Sequence, residues 1–264
     1  KKIATKRIKP NCSPTPQTPR MKNWIHLTAL LVLFVSPCMN AQSWWGGGVD
    51  GKGPRVEKDL QLDDFNGIRL TFSADVYLTP GRSQSVRVSA QQNIIDLLET
   101  EVDNGIWKID TEENIDDHSK IKIYITVPEM DYVKLSGSGN IYTEGLFENN
   151  GKAVEVGVSG SGDLQFRTNA RSLSAAISGS GDIELKGSTD DISIRVSGSG
   201  DIDAIDLTAR NCEVRISGSG NAKVHATQDL NVRVSGSGDV YYRGRPNVQS
   251  RISGSGDLES VNGK

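Results

Sequence analysis

The sequence predicts an all-β protein, a right-handed parallel β-helix of Ser-Gly-Ser-Gly-Asp/Asn coils with a more irregular β-rich N-terminal part. The pentapeptide Ser-Gly-Ser-Gly followed by Asp or Asn occurs seven times, at intervals of 18 to 23 residues. Each copy lies between segments in which apolar and polar residues alternate, as in half-buried strands. A period near 20 is typical of stacked coils, and the hand follows that of most parallel crossovers. The copies begin at Ser136, Ser159, Ser178, Ser197, Ser217, Ser235 and Ser253.

The pentapeptide is predicted to form a corner between two strands rather than a flexible linker. Leu173, Ala175 and Ile177 precede one copy, and Ile183 and Leu185 follow it. Glycine supplies positive φ or close backbone approach at a corner, and Asp or Asn accepts hydrogen bonds from nearby backbone N–H groups. The remaining segments of the repeat, such as RTNARS, KGSTDD, HATQD and RGRPN, have the composition of turns.

The N-terminal residues differ in character from the rest of the chain. Residues 1–20 are basic and proline-rich, and we interpret them as an extension upstream of the true start at Met21. Residues 21–41 have the short basic start and apolar run of a secretory signal peptide, with cleavage predicted after Ala41. Lipidation of Cys38 is an alternative, although Pro37 precedes it where lipoprotein processing requires a small residue. Residues 42–55 are predicted to be a flexible leader.

Residues 56–135 are predicted to be the N-terminal part of the same β-structure. This region contains several strand patterns, IRLTFSADVYLT, SVRVSA, IWKIDTE and IKIYITVP, and a segment NIIDLLETEV that suits a short helix or an irregular edge. The repeated β-helix is predicted for residues 136–264.

Charge and cysteine content limit the classes of partner and of stabilising bond. Removal of residues 1–41 takes away seven basic residues and no acidic ones. The remaining chain has 23 Lys and Arg and 33 Asp and Glu, which gives a formal charge of −10. An acidic chain argues against nucleic acid or an anionic membrane as the partner. Only Cys212 remains after cleavage, so stability must come from packing rather than from an intramolecular disulfide.

Several unlike motifs, in a fixed order, resemble those of a known family. They are FNGIRLTFSADVYLTPG at residues 65–81, then SVRVSAQQNIIDLLETEVDNGIWKI, IKIYITVPEMDYVKLSGSGNI and PNVQSRISGSGDL. They are similar to the exported bacterial domain described as putative auto-transporter adhesin, head GIN domain. The resemblance implies a right-handed β-helix in the periplasm or at the cell surface of Bacteroidetes-like bacteria, with adhesion as the expected role. We expect no auto-transporter membrane β-barrel within this sequence, because the predicted β-helix occupies it up to residue 264.

In-register stacking would align the acidic position of each corner into a column. The metal hypothesis assigns calcium to its carboxylates, since calcium prefers oxygen ligands; the candidate ligands are Asp163, Asp182, Asp201, Asp239 and Asp257. Asn140 and Asn221 occupy the same position, and interchange of Asn with Asp suits hydrogen bonding at a turn better than metal ligation. We therefore favour capping and expect no cofactor, with calcium as the alternative.

A second column carries outward-facing arginines on four consecutive coils, with Lys134 at the same offset. These side chains could bind the sulfate, carboxylate or phosphate groups of a glycan; they are Arg195, Arg215, Arg233 and Arg251. The alternative, which we favour on sequence alone, is a solvated face on which the arginines pair with neighbours such as Glu213. Trp44 and Trp45 could stack on a sugar or cover the end of the helix.

Catalysis is not expected. The repeated carboxylates are alike, whereas a catalytic pair needs one member set apart to hold a proton. His118 and His225 lie in no metal or nucleophile motif, and Cys212 falls on an inward column and is predicted to be an inert core thiol.

The sequence therefore predicts a non-catalytic exported β-helix that acts in adhesion or as an envelope interaction module, in the periplasm or on the outer surface. A glycan or a surface protein is the expected partner. One alternative is a self-associating structural protein, because the last coil, RISGSGDLESVNGK, shows no cap and suits homo-oligomer formation through the β-helix ends. A less favoured alternative is a polysaccharide-processing enzyme.

Overall fold

Strands wound into stacked coils make up most of the described part of the chain. The computed structural model describes residues 48–116 and 121–262, with Asn150 as backbone only. The first elements are β1 (Arg55–Leu60), β2 (Gly67–Leu70), β3 (Asp75–Pro80), β4 (Ser85–Gln91), α1 (Gln92–Ile95), β5 (Val102–Asp103), β6 (Ile106–Ile109), β7 (Lys122–Val127), β8 (Tyr132–Leu135) and β9 (Asn140–Thr143). They are followed by β10 (Phe147–Val158), β11 (Leu164–Gly179), β12 (Ile183–Gly198), β13 (Ile202–Gly218), β14 (Ala222–Gly236), β15 (Val240–Arg243), β16 (Asn247–Gly254) and β17 (Leu258–Ser260).

Each pentapeptide forms a corner between two parallel ladders, which we name by their position relative to the corner. Face A contains the strand segments that lead into the corners, paired in the order β6, β2, β8, β10, β11, β12, β13, β14 and β16. Face B contains the segments that leave the corners, in the order β7, β3, β9, β11, β12, β13, β14, β15 and β17. The predicted parallel β-helix is confirmed.

The N-terminal coils stack in an order that differs from their order in the chain. The coil of β2 and β3 lies between the later coils β6–β7 and β8–β9. The chain therefore forms the coil β2–β3 first and then passes through β4, α1 and β5. It adds the coil β6–β7 on one side of β2–β3, and then adds β8–β9, and the repeated coils after it, on the other side. Residues 56–135 thus contribute β2, β3, β6, β7 and β8 to the two parallel ladders, and their stacking order could not be read from their spacing.

Antiparallel elements cover the N-terminal end. On face B, β4 pairs antiparallel with β7, and β1 pairs antiparallel with β4. On face A, β5 pairs antiparallel with β6. The Trp107 side chain of β6 is completely buried behind these elements, and its Nε1–H donates a hydrogen bond of 2.9 Å to the Glu99 carbonyl. This end of the core is therefore closed by protein.

The predicted flexible leader is tied to this end of the structure from Gly48 onward. The Gly48 N–H donates to Asp116 Oδ2 (2.6 Å), and the Val49 N–H donates to the Asn114 carbonyl (2.7 Å). The Lys52 N–H donates to Oδ1 of Asn93 in α1 (2.8 Å). Polar partners distant in sequence replace water along this segment, which composition alone does not reveal. The rest of the predicted leader, the predicted signal peptide and residues 1–20 lie outside the described residues.

Inward residues of successive coils form continuous apolar columns. Along face A, one fully buried column runs through Val156, Ala175, Ile194, Val214 and Val232. Phe147 and Phe166 stack in the core with ring centroids 5.7 Å apart and are also fully buried. At about 1.5 to 3 kcal/mol for each buried large apolar side chain, these columns are the main stabilising contribution in the described part of the chain, where Cys212 is a free thiol.

The connecting segments of the repeat correct one prediction. RTNARS, KGSTDD and HATQD were expected to be turns, but they lie inside β11, β12 and β14, and their positions pair in parallel with neighbouring coils around a bend. Buried polar side chains at the bend find partners between coils, as when Asn149 Nδ2 donates to the Met130 carbonyl (2.8 Å). Stacking supplies hydrogen bonds that an isolated turn sequence lacks. RGRPN remains a turn, between β15 and β16.

The corner needs glycine for two different reasons. Gly198, the first glycine of its corner, has φ of 141°, a region that disfavours residues with a Cβ. A Cβ on Gly200, the second glycine, would lie less than 3.0 Å from the carbonyl oxygen of Gly181 in the preceding coil. The Ser199 N–H donates to the Gly179 carbonyl at 3.0 Å. Close backbone approach between coils is therefore built into the repeat.

No helix in the described ranges is long and apolar enough to cross a membrane.

Candidate functional site

Four arginines form a row along the outward side of face A. Parallel pairing places Arg195 beside Arg215, Arg215 beside Arg233, and Arg233 beside Arg251. We call these four residues the arginine ribbon. Adjacent strands are about 4.8 Å apart, so the ribbon presents one guanidinium group per coil at a regular spacing.

Only the two middle arginines of the ribbon are paired with a carboxylate of the described residues, and they share the same one. Glu213 Oε1 lies 2.5 Å from Arg215 Nη2 and 3.0 Å from Arg233 Nη1. Arg195 and Arg251 form no ion pair with any described residue, and both are exposed. The expectation that the arginines pair with neighbours is thus met for two of the four. The two outer guanidinium groups keep their positive charge available.

Hydroxyl groups lie beside the guanidinium groups. The first serine of each corner follows its arginine by two residues and therefore points to the same outward side. These exposed serines are Ser197, Ser217, Ser235 and Ser253. Arginines and serines together line a shallow groove of about 440 Å³. Each coil thus contributes one cation and one hydroxyl, a combination that suits carboxylate, sulfate or phosphate oxygens.

The basic column continues toward the N-terminal end, after an interruption by Gly157 and Ala176. Lys134, Arg69 and Lys108 occupy its positions on β8, β2 and β6. The two lysines are paired with carboxylates, and Arg69 donates to the Tyr132 hydroxyl oxygen (2.8 Å). Lys134 Nζ donates a hydrogen bond to Glu155 Oε1, 2.6 Å away, which raises the pKa of Lys134, and Lys108 Nζ lies 2.7 Å from Asp110 Oδ2. Sequence spacing could not find Arg69 and Lys108, because the coils that carry them stack out of order.

The acidic column of the corners holds successive coils together. We call it the Asx ladder, comprising Asn140, Asp163, Asp182, Asp201, Asn221, Asp239 and Asp257. From coil to coil, the Oδ1 atom of one member accepts a hydrogen bond of 2.6 to 3.4 Å from the backbone N–H of the next. A second hydrogen bond runs between the same coils. The residue that follows a ladder member donates its N–H to the backbone carbonyl of the next member, as the Ile183 N–H does to the Asp201 carbonyl (2.9 Å).

This geometry gives the side chains of the ladder the hydrogen-bonding role that we favoured, but across coils rather than within one corner. No group of three or more His, Cys, Asp or Glu side chains in the described ranges is arranged to hold a metal ion.

Comparison with known proteins now identifies the family. The sequence profile of the family described as putative auto-transporter adhesin, head GIN domain, matches residues 64–246. The chain belongs to this family. The structure of a putative adhesin from Bacteroides fragilis is similar, with a TM-score of 0.74 and 23% identity over 81% of this chain and 100% of that one. No curated protein matches the sequence.

Two structures from Parabacteroides distasonis are also similar to this head GIN domain. One is a putative adhesin, with 27% identity, and the other a putative lipid binding protein, with 28% identity. Each has a TM-score of 0.63 and covers 81% of this chain and 99% of its own. The family and two of these neighbours are described as putative adhesins, the third as a putative lipid binding protein, and none of these descriptions names an enzyme.

Replacing Asp201 of this head GIN domain tests the role of the ladder. Asp201 Oδ1 accepts hydrogen bonds from Asn221 at its backbone N–H (2.6 Å) and Nδ2 (3.0 Å). Asp201→Ala should lower the free energy of unfolding by about 1 to 2 kcal/mol, whereas Asp201→Asn, which keeps an oxygen acceptor, should cost less than about 0.5 kcal/mol. Denaturant unfolding checks both values.

The same variants separate hydrogen bonding from calcium binding. We expect calcium chloride and EDTA to leave the Tm of the wild type unchanged. A rise in Tm with calcium that Asp201→Asn reduces would contradict the hydrogen-bonding role and restore the metal hypothesis.

The remaining candidate residues lie apart from the ribbon. Cys212 is buried in the core, and burial raises the pKa of its thiol to about 12, which leaves it unreactive at neutral pH. His225 is partly buried, and burial lowers its pKa. Trp44, Trp45 and His118 lie outside the described residues.

A partly exposed row of three tyrosines on face B was not predicted. Tyr77 stacks on Tyr124 (centroids 5.1 Å apart, planes at 16°) and on Tyr142 (5.6 Å, 29°). The shared segments DVY, KIY and NIY were the available signal. Tyr124 is 39% exposed and lines a groove of about 750 Å³ with Gln84 and Arg87. Its ring offers an apolar surface to a bound molecule.

Proposed function

We propose that this chain is a non-catalytic, exported adhesion module that binds an anionic polysaccharide through the arginine ribbon. The observation that carries the proposal is the alignment of four guanidinium groups with four exposed hydroxyls on consecutive coils, two of the arginines lacking a carboxylate partner among the described residues. A polymer with one carboxylate or sulfate per sugar repeats its charge at a distance comparable with the strand spacing. Several weak contacts then act together.

Two further features support the proposal. The family is described as adhesin-like, and the signal-type sequence at residues 21–41 is consistent with export to the periplasm or the cell surface. The carboxylates of the Asx ladder resemble one another: Asp182 and Asp201 each accept a backbone N–H from the next coil. Neither is placed to act as a distinct catalytic acid, which favours binding over polysaccharide processing.

Removal of the ribbon charges should abolish most of the binding. We expect the quadruple variant Arg195→Gln, Arg215→Gln, Arg233→Gln, Arg251→Gln to bind polygalacturonate or dextran sulfate at least about tenfold more weakly. Four exposed ion pairs at about 0.5 kcal/mol each amount to about 2 kcal/mol, and 1.4 kcal/mol corresponds to tenfold. Affinity electrophoresis or calorimetry measures the change, with neutral dextran as the reference polymer. Binding should weaken as salt concentration rises.

A matched control separates the ribbon from net charge. Four cations elsewhere, each paired with a carboxylate, are replaced by glutamine in the same way: Lys186, Arg210, Lys223 and Arg243. This control should bind like the wild type. Conversely, Ala176→Arg extends the ribbon by one exposed position beside Arg195 and should strengthen binding about twofold. Equal losses in the ribbon and control variants, or no binding of either anionic polymer by the wild type, would overturn the proposal.

A further inference from the structure

The outermost described coil at the C-terminal end presents core positions to solvent. β16 pairs with β14 along one edge, and no strand in the described ranges pairs with its other edge. Val248 and Ile252 occupy inward columns yet are 40% and 37% exposed, whereas their neighbours Leu230 and Val234 on β14 are 1% and 3% exposed. A row of unpaired backbone groups therefore lies beside uncovered apolar side chains, which favours pairing with another strand.

The sequence of β16, NVQSRISG, is complementary to itself in the antiparallel direction. Centred on Ser250, such a pair places Val248 opposite Ile252 of the second copy and Gln249 opposite Arg251 of the second copy. Opposed residues of antiparallel strands point to the same side, so the Val248–Ile252 pairs and the central Ser250 pair lie on the core side, and the Gln249–Arg251 pairs stay outward. The carbonyl of the Gln249 side chain can accept a hydrogen bond from the guanidinium group.

Neighbouring registers are less favourable. Centring on Arg251 brings two arginines opposite each other, and like charges directly opposed destabilise a strand pair. Centring on Gln249 leaves Ile252 opposite Pro246 of the second copy, which has no N–H to donate. A shift by one residue places inward side chains against outward ones. The residue pattern therefore selects the register centred on Ser250.

The free edge of β16 is better matched to β16 of a second copy than to the N-terminal end of a second copy. That end is covered by β4, β5 and α1, and its outer strand β1 carries Glu57, Lys58 and Asp59. Charged side chains on an edge strand discourage further pairing. A head-to-tail filament is thus disfavoured, while a two-fold arrangement closes after two copies.

We propose that the free edge of β16 binds a second copy of this chain, with β16 pairing antiparallel to β16 about a two-fold axis at Ser250. The axis is perpendicular to face A, so the two faces form one continuous sheet and both arginine ribbons lie on the same surface. The inference does not depend on the proposed glycan binding. If both hold, the dimer doubles the length of the binding surface.

Sedimentation velocity and light scattering test the assembly without any ligand. The purified protein should have twice the mass of the chain, and Ile252→Lys should convert it to a monomer with an unchanged circular dichroism spectrum. Leu146, 39% exposed, supplies the matched control: Leu146→Lys should remain a dimer. A monomeric wild type at high micromolar concentration, or a dimer that survives Ile252→Lys, would refute the proposal.

Cysteine cross-linking tests the register. In a background with Cys12 and Cys38 replaced by serine, Ser250→Cys should form a disulfide-linked dimer under mild oxidation, because opposed residues lie about 4.5 to 5.5 Å apart between Cα atoms. Gln249→Cys should not, since it faces Arg251, but the double variant Gln249→Cys, Arg251→Cys should. Cross-linking through Gln249→Cys alone, or none through Ser250→Cys, would rule out this register.

Discussion

Gly200→Ala is expected to lower the free energy of unfolding by more than about 4 kcal/mol, a loss seen only for severe core or backbone disruption. Gly200 is buried at a corner of the stack. An added Cβ would overlap the Gly181 carbonyl oxygen and lie 3.1 Å from Ile177 Cγ2. The overlapping atom belongs to the backbone, whose Gly181 N–H donates to the Gly160 carbonyl of the preceding coil (3.0 Å), so it cannot move aside as a flexible side chain could. Relief requires the coils to separate and to lose their hydrogen bonds.

Gly157→Ala is the matched control for this effect. Gly157 lies on β10, with a neighbouring strand on each side, β8 and β11. Its φ is not positive, and an added Cβ would make only ordinary contacts, the shortest 3.5 Å from the Ala176 carbonyl oxygen. We expect this variant to be neutral or to gain up to about 1 kcal/mol, because alanine restricts the unfolded chain more than glycine does. Guanidinium unfolding curves measure both variants. Similar stabilities for Gly200→Ala and the wild type would mean that the coils do not approach as closely as described.

Trp107→Ala should lower the free energy of unfolding by about 3 to 5 kcal/mol. The indole is fully buried where the antiparallel elements close the N-terminal end, and its ring lies 5.8 Å from that of Phe65. Truncation leaves a large cavity and removes the donor to the Glu99 carbonyl. Because this end of the core has coils on one side only, removal of the indole should also loosen the packing of β5 and α1.

Trp107→Phe separates packing from the hydrogen bond. Phenylalanine retains an aromatic ring against Phe65 but cannot donate to Glu99, so we expect a smaller loss of about 1 to 3 kcal/mol. Hydrogen exchange should show faster exchange for the amides of β5 and β6 in the alanine variant, with the amides of β12 and β13 little changed below global unfolding. Equal losses in the two variants would assign the effect to the hydrogen bond rather than to the ring.

The repeated coils could be predicted in detail because each one carries its own signals. Alternation around Ile194 and Val214 marks the inward columns, and in-register stacking then follows from a nearly constant period. The same reasoning placed Arg195, Arg215, Arg233 and Arg251 in one row. It did not reveal that Glu213 forms ion pairs with the two middle arginines only, since that depends on side-chain directions between coils.

The N-terminal coils and the leader could not be predicted to the same depth. Tyr77, Tyr124 and Tyr142 are far apart in the chain and meet only because the coil of β2 and β3 lies between two later coils. The bends within β11 to β14 were also mistaken for turns, since Asn, Gly, Ser and Thr suit either structure until a neighbouring strand supplies partners.

The sequence by itself determined the β-helix, its corners, its inward columns and the arginine row, because these follow from local alternation and from a repeat that stacks identical positions. Only the tertiary structure decided the order of the N-terminal coils, the covered and open ends, and which charges remain unpaired. Those features depend on contacts between segments that share no periodic relation, and several stacking orders can satisfy the same local pattern. Packing energy, summed over the whole core, selects among them.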